Sequence, residues 1–518
     1  MRLPSQSSYL PREKVRSLEE LAKLADELRA QGKTLVQCHG TFDLLHVGHI
    51  RHLAAACRLG DVLVVTVTAD RFVNKGPTRP VFPAEQRAEM LSTVEYVDWV
   101  AINDAPDAVS AICRLHPDVY VKGQDYQSPE GDVTGNILLE REAVEAGGGR
   151  IHFTDEATFS SSELINQHLN VFEPHIREHL DELRYNGGLA SMLALIDKVA
   201  DYRVLIVGDA IIDEYQYVLP MGKAPKENVI ATRYQDRETF AGGVFAAANH
   251  VASFCRQVDV VTCLGGADSY REVIEDALRP NVCMTAFERP GAPTTLKRRF
   301  VDPSYMRKLF EVYLMNDEPL PPDVQETMDG FLREVVAEYD VVIVTDFGHG
   351  MLAQSSIDVL TSSDTRFLAV NAQSNSANLG YNLITRYRRA DYVSIDAPEA
   401  RLATGDRMST VADVAGKLVK GLIDCPKLII THGKNGCVTC ELGEVKHTIP
   451  AFAGRVIDTI GAGDAFFAVT APLVAAGGSL HQIGFVGNVA GALKVEIVGH
   501  RRSVDKASLV KGITALLK

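Results

Sequence analysis

Two histidines near the start of the chain are spaced to act on one ligand. His46 and His49 close the segment HGTFDLLHVGH (39–49), which follows an apolar run and leads into a helical pattern over 50–59. A strand, a glycine-containing turn and a helix form the setting in which backbone N–H groups and a helix N-terminus receive phosphate. A zinc site lacks a third ligand nearby, and structural histidines at a turn are the other alternative. On this pair alone, all three interpretations stay open.

A second string with chemical meaning is DTIGAGDAF (458–466). Its small residues precede a helical pattern over 465–476 and can expose backbone N–H groups to a transferring phosphoryl group, while the Asp464 carboxylate can accept the proton of a hydroxyl. The alternative is that Asp464 only caps the helix. The string favours kinase chemistry.

The apolar pattern around both strings predicts two α/β domains. A helical pattern over 14–31 comes first. Strand-like runs then alternate with helical patterns at 35–36, 62–67, 99–102 and 119–121, and again at 203–208, 260–264, 341–345, 367–370 and 428–431. Such alternation is typical of parallel sheets covered by helices. We predict a first domain over 1–168, a helical connector over 169–200 with a break at Gly187-Gly188, and a second domain over 201–518.

Length, composition and charge restrict the class of protein. At 518 residues the chain exceeds the size at which single cores stop growing, about 250–300 residues. The formal net charge of −14 argues against broad binding to nucleic acid or to anionic membranes. The sequence shows neither an apolar run of membrane-spanning length nor the apolar stretch of a signal peptide. We therefore expect a cytoplasmic protein with small-molecule partners.

The nine cysteines do not form a disulfide framework, because they are odd in number and scattered over both halves. Cys437 and Cys440 have the spacing of a redox or zinc pair, but no second Cys/His pair is near and their surroundings resemble a strand. We predict buried or half-buried strand thiols.

The first half of the chain resembles a known family. The strings HGTFDLLHVGH (39–49), KGPTRP (75–80), EQR (85–87) and PDVYVKGQDY (117–126) are similar to those of the cytidylyltransferase-like nucleotidyltransferases. The similarity covers about 15–168 and is greatest to the adenylyltransferase domain of bacterial bifunctional heptose-phosphate kinase/adenylyltransferases. It implies a Rossmann-like fold in which the catalytic residues are His46, His49 and Lys75, the histidines contacting the triphosphate.

The same resemblance implies further nucleotide contacts. These residues are Thr41, Phe42, Asp43, Gly48, Arg79, Lys122, Ser160 and Ser161. For the two serines, a simple helix cap is the alternative to a phosphate contact.

The second half resembles the ribokinase-like (PfkB-type) sugar kinases over about 203–500. By this resemblance Asp464 is the catalytic base, and the anion hole is formed by Gly461, Ala462 and Gly463. The implied substrate-binding residues are Asp213, Gly242, Gly243, Lys297 and Arg299. The implied nucleotide and magnesium region contains Asp396, Glu399, Thr431, Gly433 and Gly436. For Lys297 and Arg299, a solvated charged strand face is the alternative.

The second half departs from its family at two positions. Ala246 stands where the family usually has the asparagine of Gly-Gly-x-x-Asn, and Asp396 stands where asparagine is usual. The order of the two domains is also the reverse of that in the heptose family. These departures indicate that the sugar specificity can differ from that of the family. Ala246 also raises the alternative of a weakened kinase.

Together the two resemblances predict a bifunctional enzyme of nucleotide-sugar synthesis. It would phosphorylate a sugar or a sugar phosphate similar to heptose 7-phosphate, and then join a sugar 1-phosphate to an NTP, with ATP favoured. The alternatives are a nucleotidyltransferase with a degenerate kinase domain that serves as a sensor or dimerisation platform, and a non-catalytic regulator. We expect Mg²⁺ at both sites without a dedicated all-protein cage, and a homodimer.

Overall fold

The chain folds into two compact units. The computed structural model describes residues 11–73, 75–76, 79–124, 136–154, 172–185, 187–362 and 364–518. One unit comprises Met1–Pro174 together with Val510–Lys518, and the other comprises His175–Leu509. The helices over the predicted connector cluster with the second unit, whereas the last nine residues cluster with the first.

The first unit is a parallel sheet with helices between its strands. Among the described residues, its strands are β1 (Leu35–Gly40), β2 (Val62–Thr68), β3 (Trp99–Asn103), β4 (Val119–Gly123) and β5 (Arg150–Thr154). Its helices are α1 (Leu18–Ala30), α2 (Val47–Cys57), α3 (Ala84–Ser92), α4 (Val109–Leu115) and α5 (Asn136–Ala146). The strand order is β3-β2-β1-β4-β5, and every pairing is parallel. The strands are nearly continuous apolar runs because helices cover both faces of the sheet.

Helix α1 is shorter than its sequence pattern. It begins after Ser17, whose side chain accepts a hydrogen bond from the Glu20 N–H while the Glu20 carboxylate accepts one from the Ser17 N–H. This reciprocal capping box starts the helix at Leu18, four residues after the start of the predicted helix. Residues Pro11–Lys14 form a separate 3-10 turn.

The second unit contains a large mixed sheet and a small one. The strands of the large sheet are β6 (Arg203–Gly208), β9 (Gln257–Ala267), β10 (Val282–Pro293), β13 (Val341–Asp346), β14 (Leu368–Ala372), β15 (Tyr392–Asp396), β16 (Lys427–Thr431), β17 (Cys437–Glu441) and β18 (Glu444–Ile449). Their order is β10-β9-β6-β13-β14-β15-β16-β17-β18, and only the last two pairings, β16–β17 and β17–β18, are antiparallel.

The small sheet has the order β12-β11-β7-β8. Its strands are β7 (Ala210–Lys223), β8 (Ile230–Gly243), β11 (Thr295–Asp302) and β12 (Arg307–Leu314). The β7–β11 pair is parallel and the other two pairs are antiparallel. This sheet was not predicted from the sequence, because its strands carry many charged residues and only part of each strand is buried.

The second unit contains the following helices, most of which pack on the large sheet or on one another. They are α6 (Pro174–Tyr185), α7 (Gly188–Lys198), α8 (Val244–Val251), α9 (Arg271–Ala277), α10 (Pro322–Val335), α11 (Gln354–Leu360), α12 (Ala397–Thr404), α13 (Val411–Gly421), α14 (Ala462–Ala475) and α15 (Leu480–Lys494). The last helix, α16 (Lys506–Leu517), begins in this unit. Helices α14 and α15 are apolar on almost every side, as is typical of helices inside a core.

The predicted α/β class is confirmed for both units, and each predicted strand-like run lies within or overlaps an observed strand. The prediction for Cys437 and Cys440 is also confirmed, since both thiols are free and buried in β17. None of the described helices combines the length and the apolar character that a bilayer crossing requires.

Candidate functional site

The first candidate site lies at the carboxyl end of β1. In the order β3-β2-β1-β4-β5, the chain runs outwards from β1 in both directions, so β1 and β4 form the switch point of the sheet. Ligands of open α/β sheets bind in the crevice outside the carboxyl ends of the strands at such a point. The segment after β1 carries the two histidines, and Lys122 lies near the end of β4.

His46 and His49 meet at the start of α2. His46 is the N-cap, and its Nδ1 accepts a hydrogen bond of 3.1 Å from the Gly48 N–H. Because Nδ1 is the acceptor, the neutral ring carries its proton on Nε2 and can donate it. The two rings stack with centroids 4.0 Å apart. The sequence motif therefore builds one joint surface, as its spacing predicted.

The turn before α2 is held in an unusual conformation. Phe42 has a positive φ of 50°. Its buried ring meets the His49 ring edge-on at 5.2 Å, and a side chain on Gly40 would come within 3.1 Å of the same ring. Gly40 and Phe42 thus fit together to support His49.

Burial and charge keep both histidines neutral. Burial, followed by the nearby His46 and Lys75, lowers the pKa of His49 to about 3. Burial and then Lys75 lower the pKa of His46. Burial also lowers the pKa of Lys75, to about 8. The structure therefore brings the three predicted catalytic groups together as two N–H donors and one cation.

Other predicted nucleotide contacts form ion pairs and hydrogen bonds within the first unit. The buried Arg79 guanidinium lies 3.2 Å from the Asp43 carboxylate, which also accepts the N–H groups of Val81 (2.7 Å) and Phe82 (3.1 Å). Asp43 therefore fixes the loop that carries Arg79. Lys122 forms an ion pair of 2.8 Å with Glu140. Ser160 and Ser161 lie outside the described residues.

Arg87 is a positioning residue that the sequence analysis did not single out. Its side chain is 0% exposed and donates to the carbonyls of Thr41 (2.6 Å), Phe82 (2.8 Å) and Thr68 (2.9 Å). It also pairs with Asp70 at 2.5 Å. One guanidinium thus joins the histidine turn to two further loops. The signal was the EQR string, which carried the family resemblance although no role was assigned to its arginine.

The pKa of Lys75 predicts an alkaline limit for nucleotide use. Lys75 is charged below about pH 8 and neutral above it, so its attraction for a triphosphate is present at low pH and lost as the pH rises through this value. We expect kcat/KM for the NTP to fall about 10-fold per pH unit beyond this limit. Lys75→Arg, whose charge persists, should abolish this alkaline limb, the fall in kcat/KM above about pH 8, even if the absolute rate of the variant is lower. A limb that is unchanged in Lys75→Arg would assign the titration to another group.

The second candidate site surrounds the start of α14. Gly461 is the N-cap with a positive φ of 73°, and Asp464 is the third helical residue. Among the described residues, the Asp464 side chain makes no capping bond. It instead accepts a hydrogen bond of 2.6 Å from Gln373 Nε2. Burial raises the pKa of Asp464, although His500 and Gln373 act in the opposite direction. The capping alternative is wrong, and a carboxylate with a raised pKa at this position suits proton transfer.

Asp213 lies at the centre of a charged cluster on the small sheet. It pairs with Arg299 and lies 3.2 Å from His500 Nε2. Burial alone would raise the pKa of Asp213, but Arg299 and His500 lower it well below the usual range. Lys297 is the neighbour of Asp213 in the register of β7 and β11. The structure therefore brings three predicted substrate residues together.

Lys297 and Arg299 are buried, 8% and 6% exposed, so the solvated-face alternative is wrong. Lys297 lies over the rings of Tyr313 (5.5 Å) and Phe347 (5.7 Å). Within the described parts of the chain, no carboxylate lies within ion-pair distance of its ammonium group. A buried cation in this setting favours an anionic group on the ligand.

Gly242 leaves the space that Asp213 occupies. A Cβ at residue 242 would lie 2.0 Å from Asp213 Oδ2. Gly243 has a positive φ of 54°, and its Cβ would lie 2.7 Å from the Asp209 carbonyl oxygen. Both glycines are thus required by close approach at the start of β7 and the end of β8.

Gly242→Ala should therefore displace Asp213. We expect the variant to lose about 1–3 kcal/mol of stability, because the methyl group overfills a packed site, and to raise the KM for the sugar substrate about 10-fold. Gly416→Ala is the matched control, since its Cβ would meet nothing within 4 Å in α13. It should stabilise the protein by about 0.5–1 kcal/mol. Unfolding curves and sugar titrations measure both effects, and an unchanged KM in Gly242→Ala would contradict the prediction.

Asp396 and Glu399 form the N-terminal capping box of α12. The Asp396 carboxylate accepts from the Glu399 N–H at 2.8 Å, and the Glu399 carboxylate accepts from the N–H groups of Asp396 (2.9 Å) and Ser374 (3.2 Å). Burial, together with the neighbouring Asp396 and Asp464 carboxylates, raises the pKa of Glu399 to about 8. These carboxylates are therefore close enough to Asp464 to share its electrostatic environment.

The remaining predicted nucleotide residues follow β16. Thr431 ends this strand, and Gly433 begins a 3-10 turn with a positive φ of 52°. Gly436 has a φ of 82°, and its Cβ would lie 1.9 Å from the Ile449 carbonyl oxygen. The turn between β16 and β17 thus depends on glycine at two positions.

Two buried residues that support the kinase site were missed by the sequence analysis. Asp458 accepts from Tyr215 OH (2.6 Å) and from the Gly499 N–H (2.8 Å), and pairs with Lys308 at 2.6 Å. Lys494 is fully buried and donates to the carbonyl of Ile460 at 2.7 Å. Asp458 thereby links the small sheet to the turn formed by Gly461, Ala462 and Gly463, here called the GAG turn. It stood in the DTIGAGDAF string, whereas nothing in the sequence pointed to Lys494.

Two known families match separate parts of the chain. Residues 202–507 match the family described as pfkB family carbohydrate kinase, and residues 38–167 match the one described as Cytidylyltransferase-like.

Curated relatives match the N-terminal part. "Bifunctional protein HldE" of Syntrophotalea carbinolica is 36% identical over 163 residues, which cover 31% of this chain and 32% of the relative. The protein of the same name from Pectobacterium atrosepticum is 41% identical over 152 residues, covering 29% and 30%. The chain thus spans about a third of the length of the curated relatives that it matches.

Solved structures that the chain resembles cover about three fifths of it. A putative ribokinase from Agrobacterium tumefaciens has a TM-score of 0.47 and 21% identity, and the match covers 60% of this chain and 97% of that one. The ribokinase of Arabidopsis thaliana, complexed with ribose and ATP, has a TM-score of 0.47 and 19% identity, covering 61% and 99%.

Proposed function

Because this chain belongs to the pfkB family of carbohydrate kinases and carries a cytidylyltransferase-like domain ahead of the kinase domain, we propose that it is a bifunctional enzyme of nucleotide-sugar synthesis. The observation that carries the proposal is the pairing of two complete phosphate-handling turns on one chain. One presents His46 and His49 with Lys75, and the other presents Asp464 behind the GAG turn.

In the proposed kinase reaction, a sugar hydroxyl attacks the γ-phosphorus of ATP. Asp464 takes the hydroxyl proton, the new O–P bond forms, and the bond to the β-phosphate oxygen breaks to release ADP. The N–H groups at Gly461, Ala462 and Gly463 face the transferring phosphoryl group. Asp213 accepts a sugar hydroxyl.

The sugar proposed for this site carries a phosphate. Lys297 is a buried ammonium group that faces two aromatic rings, and Arg299 lies beside it. A phosphate on the substrate would compensate the Lys297 charge in a site where burial already lowers its pKa. We therefore propose a sugar phosphate similar to heptose 7-phosphate as the substrate.

Mg²⁺ fits the kinase site through the carboxylates at the start of α12. Glu399 and Asp396 offer the oxygen ligands that Mg²⁺ prefers, directly or through water. They crowd negative charge with Asp464, which a divalent cation would relieve. The bound ion would neutralise charge on the phosphate oxygens of ATP.

In the proposed nucleotidyl transfer, a phosphate oxygen of the sugar 1-phosphate attacks the α-phosphorus of the NTP. The bond to the β-phosphate oxygen breaks, and pyrophosphate leaves. His46 and His49 donate N–H groups to the oxygens that gain charge, and Lys75 supplies the positive charge. The resemblance of the strings at 39–49, 75–80 and 117–126 to the adenylyltransferase domain of heptose-phosphate kinase/adenylyltransferases supports ATP as the NTP and a heptose as the sugar.

A second candidate function follows from Ala246. This residue lies buried in the first turn of α8, next to the Gly242-Gly243 pair, and offers no amide to a sugar. The alternative is an active nucleotidyltransferase whose kinase domain binds a sugar phosphate without turning it over.

A matrix of substrates tests both functions. ATP, CTP, GTP and UTP are each combined with heptose, hexose and polyol phosphates, and the release of pyrophosphate and of ADP is measured separately. We expect ATP with a heptose phosphate to be the best pair in both reactions. If CTP with a polyol phosphate gives the highest rate, the heptose assignment is wrong. Release of pyrophosphate without ADP would select the second candidate. The absence of both products would exclude both functions.

A further inference from the structure

A cluster of metal-binding side chains lies in the second unit, apart from the residues described above. His179 and Glu182 come from α6, and His481 comes from the first turn of α15. One ligand atom of each residue lies within 4.8 Å of the corresponding atoms of the other two. The two members from α6 are three residues apart and therefore project from the same face of the helix.

One nitrogen of this cluster lacks a hydrogen-bond partner. The Nε2 atom of His179 is buried, and no donor or acceptor of the described chain contacts it. Buried polar atoms in folded proteins are nearly always satisfied, and an unsatisfied one calls for an ion or a water molecule. The unsatisfied atom belongs to the residue that shares its ligand group with Glu182 and His481.

Aromatic packing holds the imidazole of His481. His447, on β18, stacks on His481 with centroids 4.5 Å apart and an interplanar angle of 13°. The His179 ring meets His481 edge-on at 5.0 Å, and Phe452 lies 6.4 Å from His179 on the other side. Two imidazoles are thus positioned before any ion binds, which lowers the cost of forming a site.

We propose that His179, Glu182 and His481 bind one divalent transition metal ion of the zinc type. Two imidazole nitrogens and one carboxylate oxygen are a donor set that Zn²⁺ uses, with a fourth position left for water. Mg²⁺ prefers oxygen ligands and does not fit this set. Zinc ligands lie about 3.3 Å apart in a tetrahedral site. Because the donor atoms lie within 4.8 Å of one another, binding has to draw them together by no more than about 1.5 Å.

The ion would join α6 to the core of the second unit. Helix α6 is buried through Leu180 and Leu183 and is otherwise largely exposed. A metal bridge from this helix to α15 adds a link that depends on the ion, so the site is structural and takes no part in phosphoryl transfer. Metal binding should therefore appear as stability and not as a requirement for turnover.

The test uses the full chain, stripped of metal and held in excess Mg²⁺. Titration calorimetry with Zn²⁺ should give one tight site per chain, and Zn²⁺ should raise the Tm. His179→Gln and His481→Gln should each weaken binding by at least about 100-fold and abolish the rise in Tm. Glu182→Gln, at an exposed position that the fold tolerates, should weaken binding about 10-fold. His116→Asn, an exposed histidine outside the cluster, is the control and should bind as the wild type does.

Co²⁺ distinguishes this site from the thiols of the chain. The Co²⁺-loaded protein should show the visible spectrum of nitrogen and oxygen ligands without a sulfur-to-metal charge-transfer band. The proposal is overturned if the wild type does not bind Zn²⁺, if the cluster variants bind it as tightly as the wild type, or if a thiolate band dominates. If His179→Gln does not fold, the comparison of Glu182→Gln with His116→Asn decides the question.

Discussion

Asp464→Asn is expected to lower kcat for sugar phosphorylation by about 10³-fold. The substitution keeps the size of the side chain and its contact with Gln373, but it removes the group that takes the hydroxyl proton. Because the amide cannot accept that proton, the loss should fall on kcat, with a much smaller change in the KM for the sugar. ADP release in the presence of saturating sugar phosphate measures the effect.

Two controls separate this loss from a change of fold. Nucleotidyl transfer by the same variant should remain at the level of the wild type, since the reacting groups of that site lie in the other unit. Asp358→Asn alters an exposed aspartate of α11 in the kinase unit and should leave both activities unchanged. If Asp464→Asn keeps more than about a tenth of the wild-type kcat, Asp464 is not the general base.

The same experiment bears on Ala246. If the wild type phosphorylates a sugar, the missing asparagine has been replaced functionally by the cluster around Asp213, Lys297 and Arg299. Asp213 and Arg299 hold each other through an ion pair, and Lys297 is the register neighbour of Asp213, so the three side chains can orient a phosphorylated substrate without a further amide. If the wild type does not release ADP, the Asp464 comparison has no activity to lose, and the sensor interpretation is preferred.

Local chemistry made the histidine and GAG turns predictable from the sequence. In both turns, residues close in the chain are also close in space. His46 caps the helix on which His49 lies, and Gly461 caps the helix on which Asp464 lies. Such turns can be predicted from short sequence strings, because capping groups and glycine conformations act over only a few residues.

Contacts between distant residues were not predictable in this way. The Arg87 side chain reaches the Thr41 carbonyl from 46 residues away, and Asp458 reaches Tyr215 from 243 residues away. His500 and Lys494 complete the kinase site from beyond the GAG helix. A single sequence carries no periodicity or spacing for such pairs, since they depend on how strands and helices pack.

The small sheet shows the same limit. Strands β8 and β12 alternate charged and apolar residues only weakly, because few of their residues are buried on either side. Asp213 and Arg299 were nevertheless placed at a common site through the family resemblance. Their burial and direct ion pair became visible only in the structure.

His49→Asn is expected to lower kcat for nucleotidyl transfer by about 10²–10³-fold, as is typical when one donor to a developing charge is lost. His46→Asn should have an effect of similar size. The kinase activity of each variant serves as the internal control, and His116→Asn is the control for removal of a histidine from the first unit. Pyrophosphate release under saturating NTP and sugar 1-phosphate measures the loss.

The stacked rings predict that the two losses are not independent. His46 and His49 lie 4.0 Å apart, so removal of one ring also frees the other. The double variant should therefore lose less than the product of the two single losses, by a measurable coupling. A purely structural role would instead lower the Tm of the first unit in step with the rate.

The pH profile decides in which form His49 acts. Because burial lowers its pKa to about 3, the ring is neutral throughout the range from about pH 5 to 8 and donates an N–H group without a net charge. The wild-type kcat for nucleotidyl transfer should thus not fall between pH 5.5 and 7.5 (about one unit on either side of an ordinary histidine). If His49 acted as an imidazolium ion, kcat would fall as the pH rose through its pKa. A flat profile combined with the loss in His49→Asn assigns the neutral donor, and it leaves Lys75 as the group whose charge the triphosphate meets.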